Sequence, residues 1–168
     1  WGKSPELFSV AIVSPSGEEI QRVPIRSGSS SIINFIFDCS IISLDYRVVE
    51  VLSGDELVLM RFQFPTQGIW TIRVYGISGI TGVFNMWLPV EGFLNTDTYF
   101  IESSPYTTLT EPSPAAQTLT VAGYEHQNMS LFVSSGRGYT ADGRVKPDLA
   151  APAVNVYGPA PGGRFVYR

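Results

Sequence analysis

Between residues 6 and 89 the chain is a succession of short runs, rich in β-branched and aromatic residues, each closed by Gly, Pro, Ser or Asp. "ELFSVAIVS" (6–14) ends in "PSGEE", and "IQRVPIR" (20–26) follows. Then come "SIINFIFD" (31–38), "ISLDYRVV" (42–49), "LVLMRFQF" (57–64), "IWTIRVY" (69–75) and "VFNMWLP" (83–89). Runs of this length and composition are strands, and the residues between them are turn formers. No stretch before residue 90 has helical periodicity.

Several runs alternate with period two. Trp70, Ile72 and Val74 share one side against Thr71 and Arg73. Val58, Met60, Phe62 and Phe64 oppose Arg61 and Gln63, and Ile33, Phe35 and Phe37 oppose Asn34 and Asp38. That is an antiparallel sheet with one face in the core and one in water. An all-β domain, a sandwich of the jelly-roll type, is expected over 1–102.

The character changes after "WLPVEGFLNTDTYFIES". "SSPYTTLTEPSP" (103–114) reads as an extended, solvated linker. "AAQTLTVAGY" (115–124) is a nearly continuous apolar run, as in a strand covered on both faces of an α/β protein. Residues 115–168 are therefore expected to form a different architecture, a short segment of an α/β core. No internal repeat of fixed period is present.

Composition bounds the function. The 168 residues, 44% hydrophobic, suffice for a packed core. The net charge is −4 and the basic residues are scattered, with Arg22, Arg26, Arg47, Arg61 and Arg73 on separate predicted strands. A broad nucleic-acid surface needs clustered Lys and Arg, so no nucleic-acid partner is expected. Cys39 is the single cysteine, which excludes an internal disulfide or a multi-thiolate metal site. Its setting in "NFIFDCS" reads as a buried core thiol. No apolar run is long enough to span a bilayer. "WGKSPELF" has no signal-peptide pattern and no initiator Met, as expected of an excised piece or a processed product.

Candidate chemistry is sparse. His126 in "YEHQNM" reads as a surface loop histidine, and Ser134 and Ser135 in "FVSSGRG" as backbone-capping hydroxyls. There is no G-x-S-x-G elbow and no phosphate-binding glycine loop, so no residue is assigned a catalytic or cofactor-binding role. Around Asp97, "NTDTY" lacks the spacing of an EF-hand. Calcium held by loop carbonyls is the one metal left open. Trp87, set against Phe84, Met86 and Leu88, is expected to point outward and is the candidate binding surface.

"TLTVAGY", followed by "SLFVSSGRGYTADGRVKPDLAAPAVNVY", resembles the subtilisin-like serine proteases in order and spacing, over residues 115–168. The family pattern has Gly where this chain has Ala153. "ELFSVAIVSPSGEEI", "IWTIRVYG" and "FNMWLPVEGF" further resemble the β-sandwich inserted in the clostridial, germination-associated Csp subgroup. The resemblance implies a fragment of a serine endopeptidase, from a bacterial, spore-associated or extracellular setting. The catalytic Asp and His and the oxyanion Asn would lie before Trp1, and the nucleophilic Ser after Arg168. On this reading the chain alone does not hydrolyse peptides. Its partners are the rest of the parent protease domain and, through the parent, a protein or peptide substrate. The sandwich either stabilises the parent as a clamp or is a recognition module for a protein or glycan. "TLTVAGY", deprived of neighbours, is expected to fold onto the sandwich or to exchange with a second copy.

Overall fold

The computed structural model describes residues 1–28, 30–77, 80–90 and 92–167. Ser78 and Gly79, within the predicted "GISGITG" turn, are among the positions outside that set. Two compact units divide the chain, Trp1–Val90 and Glu91–Arg168.

The first unit holds six strands: β1 (Phe8–Val13), β2 (Glu19–Ile20), β3 (Ser30–Phe35), β4 (Ser40–Arg47), β5 (Leu57–Gln63) and β6 (Thr71–Gly76). They form two open antiparallel sheets, ordered β2-β1-β6 and β3-β4-β5. One hydrophobic cluster draws on both: Val10 and Ile12 from the first, Ile33, Phe35, Ile42, Leu44 and Tyr46 from the second. Met60, Phe62, Trp70, Ile72 and Val74 pack against it. The period-two reading therefore holds for Ile33, Phe35, Val58, Met60, Phe62, Trp70, Ile72 and Val74. β4 shows why, because every second side chain is buried while Asp45 on the other face pairs with Arg61 at 3.0 Å.

Polar groups inside the sandwich are placed, not incidental. The Tyr46 hydroxyl accepts from the Val10 amide at 3.2 Å and donates to the Val23 carbonyl at 3.4 Å, tying one sheet to the other. β1 is buried on both faces. Its outer face is covered by Arg22, which bonds Ser9 Oγ and lies 5.4 Å from the Tyr75 ring centroid. Glu6 is buried with both carboxylate oxygens accepting from Thr81 and Gly82, which keeps it ionised below the usual range.

Glu56 is the exception. It is buried, its Oε2 accepts the Phe8 amide at 2.6 Å, and its Oε1 has no partner among the described residues. Burial raises its pKa, with the Phe8 amide acting the other way. A raised folded-state value means that full stability is present below the unfolded pKa of about 4.3 and is lost as pH rises through the folded value. Glu56→Gln removes that loss, so its stability relative to the native chain improves as pH rises above about 4. Urea unfolding at several pH values, followed by tryptophan fluorescence, measures the difference. A difference that does not change with pH contradicts this account of Glu56.

Three sequence expectations are corrected in this unit. Cys39 is exposed rather than buried, because β3 ends at Phe35 and the chain turns through 36–39, with Cys39 at φ 49. Phe37 and Phe64 leave the core face for the same reason. Phe37 lies in that turn and Phe64 sits at φ 52 just beyond β5, so both rings are exposed. "VFNMWLP" is not a strand: only Phe84 bridges, to Gly2.

The second unit holds β7 (Val121–Glu125), β8 (Ser130–Leu131), β9 (Leu149–Pro152), and a hairpin of β10 (Tyr157–Ala160) and β11 (Arg164–Tyr167). β7 is central, antiparallel to β8 and parallel to β9. Both of its edges are thus taken by the same chain. The expected α/β segment is not formed: among the described residues there is no helix. The crossover from β8 to parallel β9 is instead an irregular loop carrying Gly136, Gly138, Gly143 and Pro147, residues that disfavour helix. Among the described residues of this unit three are buried, Thr120, Thr140 and Lys146, none of them apolar.

Candidate functional site

The segment "DGRVKPDLAAPAVNV" is organised around two carboxylates. Thr140 opens it: its amide donates to the Arg144 carbonyl at 3.1 Å, and its hydroxyl accepts from the Arg144 amide at 2.8 Å and bonds Asp142. Arg144 Nε donates to Asp142 Oδ2 at 2.6 Å. The Arg144 and Thr140 bonds hold the Asp142 carboxyl at about 2, well below its usual value. A depressed pKa contributes stability that is present above the unfolded value of about 3.9 and is lost as pH falls through about 2. A carbon-detected NMR titration is expected to place the Asp142 midpoint near that value and to move it up in Arg144→Ala. An unshifted midpoint in the variant contradicts the assignment.

The second carboxylate is tied deeper. Lys146 Nζ, on a side chain only 6% exposed, donates to Asp148 Oδ2 at 2.7 Å and to the Thr118 carbonyl. The same Asp148 oxygen accepts from the Thr120 amide at 2.7 Å, and the Asp148 amide returns a bond to the Thr120 carbonyl at 2.9 Å. Lys146, then the Thr120 amide, hold the Asp148 carboxyl below its usual range. Lys-Pro-Asp is therefore a knot that fastens the loop to the chain entering β7. Two glycines make the approach possible. A Cβ on Gly138 would lie 1.8 Å from the Lys146 carbonyl oxygen, and one on Gly123 2.7 Å from Ala153 Cβ. Ala153 itself donates to the Tyr124 carbonyl at 2.9 Å without left-handed backbone; that conformation falls to Asn155, at φ 54.

Both carboxylates are thus committed to structure rather than poised for proton transfer. His126 is exposed in the β7–β8 turn, and no hydrogen bond joins it to a serine among the described residues. Ser135 caps backbone as expected, accepting from the Gly123 amide at 3.0 Å. Asp97 lies in an exposed turn in which Asn95 Oδ1 accepts the Asp97 amide at 3.4 Å. Among the described residues no three His, Cys, Asp or Glu side chains come together.

Trp87 lies in the other unit, beyond the pairing of Trp1 with Asn85. It is 42% exposed, but so is Phe84 at 43%, because residues 85–90 are not a strand and no alternation sets Trp87 apart. The Lys146–Asp148 knot was missed from sequence. Its one local signal is a cation and an anion two residues apart around proline.

The class the structure defines is an all-β chain, a two-sheet unit followed by a small mixed sheet with a loop knotted to its central strand. It is similar to a solved structure, the CspB protease of Clostridium perfringens, with a TM-score of 0.80 and 26% sequence identity over 96% of this chain. The chain spans 34% of that protein. No family model matches the chain. No curated protein matches it either.

Proposed function

We propose that the chain is part of a subtilisin-like serine endopeptidase of the clostridial Csp type, comprising its jelly-roll insert and an adjoining strip of the catalytic fold. The similarity to the CspB protease across nearly the whole chain carries this reading. The second unit adds a physical reason: without a buried apolar side chain among its described residues, it leaves Leu131, Val145 and Leu149 exposed, as a face that packs against another surface does. The insert serves as a clamp, its apolar interior stabilising the parent. Without a nucleophile–base pair among its described residues, the chain alone does not cleave peptides, because acyl transfer needs both groups in hydrogen-bonding reach.

Sequencing the coding DNA on both sides tests the assignment. Gly-Thr-Ser shortly after Arg168, with Asp and His motifs upstream of Trp1, is the expected result; flanks with neither overturn it. The purified chain should leave labelled casein intact, and cleavage blocked by a serine-directed inhibitor would refute its inactivity. The exposure of Trp87 favours one second reading, a recognition module for protein or glycan, which binding lost in Trp87→Ala would support.

A further inference from the structure

The second unit contains a cavity of about 380 Å³ between the 105–113 segment, the start of β7 and the 133–137 turn. Its lining sorts by chemistry. It is open on one side, where Val121 is 49% and Val133 83% exposed; these two and Leu109 supply apolar surface, Thr110 and Ser134 bring hydroxyls, and Arg137 brings a cation. No Asp or Glu lines it among the described residues. The backbone of Arg137 is fixed on both sides by Thr108: its amide donates to Thr108 Oγ1 at 3.0 Å and its carbonyl accepts the Thr108 amide at 3.0 Å. Its guanidinium has no carboxylate partner among the described residues, whose ion pairs use Arg61, Arg73, Arg144 and Lys146.

A cavity of this size suits a small molecule. A guanidinium presents five donors in a planar fork that matches a carboxylate bidentately. The apolar wall matches a short aliphatic chain and not a fully hydrated ion. We propose that this cavity is a binding site for a small carboxylate carrying a short apolar chain, with Arg137 pairing the carboxylate and Leu109, Val121 and Val133 covering the chain. The site belongs to the second unit and stands whether or not the chain derives from a protease.

Titrating butyrate into the 168-residue chain and following amide NMR shifts tests it. Saturable shifts are expected at Thr108, Thr110, Ser134 and Arg137. Butyramide, equal in shape but neutral, is expected to bind at least about tenfold more weakly, as is butyrate to Arg137→Gln, the effect of losing a hydrogen bond to a charged group. Acetate and inorganic phosphate, lacking the apolar chain, also bind more weakly than butyrate. Arg137→Gln keeps the backbone bonds to Thr108, and an unchanged spectrum elsewhere shows that it folds. If it does not fold, Arg137→Lys is used, which keeps the charge and loses the fork, and is expected to bind several-fold more weakly. No saturable binding, equal binding of butyramide, phosphate binding better than butyrate, or binding unaffected by the Arg137 variant each overturns the proposal.

Discussion

Phe35→Ala is expected to lower the stability of the Trp1–Val90 unit by about 4 kcal/mol. Phe35 is 1% exposed at the centre of the sandwich core, and its ring meets Trp70 edge-on at 5.1 Å. Trp70 in turn meets Phe62 edge-on at 5.4 Å, so the three rings form one stack of perpendicular contacts spanning β3, β5 and the residue before β6. Truncation removes the transfer free energy of the ring, leaves a cavity that the two sheets can only partly close, and forfeits an aromatic contact of about 1 kcal/mol. A unit of this size has roughly 5–13 kcal/mol in total, so the loss is a large fraction of it. The readout is clean because all three tryptophans, Trp1, Trp70 and Trp87, lie in this unit. The urea midpoint followed by tryptophan fluorescence should fall by about 2 M or more. Ile32→Ala, on the exposed face of the same strand, is the control and should stay within about 0.5 kcal/mol. Equal effects from the two variants would contradict the core described for the sandwich.

Gly138→Ala should have the largest effect in the second unit. The added methyl would sit 1.8 Å from the Lys146 carbonyl oxygen, and that atom belongs to backbone, which cannot swing away as a side-chain tip can. The loop must move as a body, and Lys146 moves with it. Its ammonium then leaves the Thr118 carbonyl and Asp148, and the Thr120 amide loses its carboxylate acceptor. Overpacking of this kind costs about 3 kcal/mol, or roughly a hundredfold in opening equilibrium. Amide hydrogen exchange at Thr120 and Asp148 reads the change directly, since both amides donate across the knot. Gly158→Ala, with open space around the added methyl and no left-handed φ, should leave exchange unaltered. Unchanged protection in Gly138→Ala would show that the loop is not held by the close approach.

The sandwich was legible in the sequence where burial follows from period two alone. Ile33 and Phe35 on β3, and Val58, Met60 and Phe62 on β5, needed no more than their spacing. Legibility failed at strand ends. "NFIFDCS" reads as unbroken strand because Phe37 and Cys39 are apolar, yet Cys39 adopts φ 49 and the Asp38 carbonyl is taken by Ser40 and Thr66 hydroxyls. Nothing in the alternation signals that ending. "VFNMWLP" failed for another reason: its strand-like composition meets only the short Trp1–Lys3 segment, through one isolated bridge and flanking backbone bonds. The knot around Lys146 was illegible because its acceptor Thr118 lies 28 residues upstream, and only the fold brings the two together. The likeness of "GRVKPDLAAP" to a known family marked the loop as defined without showing what defines it.

The contrast in what the two units bury bears on how the chain responds to heat. The heat capacity of unfolding grows with exposed apolar surface and is reduced by exposed polar surface. Among the described residues of the second unit the buried side chains are two hydroxyls and an ammonium, while Val10, Ile12, Phe35, Ile42 and Leu44 are buried in the first. The curvature of the stability profile, and with it the temperature of greatest stability, is therefore set by the sandwich. The sheet around β7 contributes mainly hydrogen-bond enthalpy, with little of the entropic, water-driven component that holds the sandwich together near room temperature.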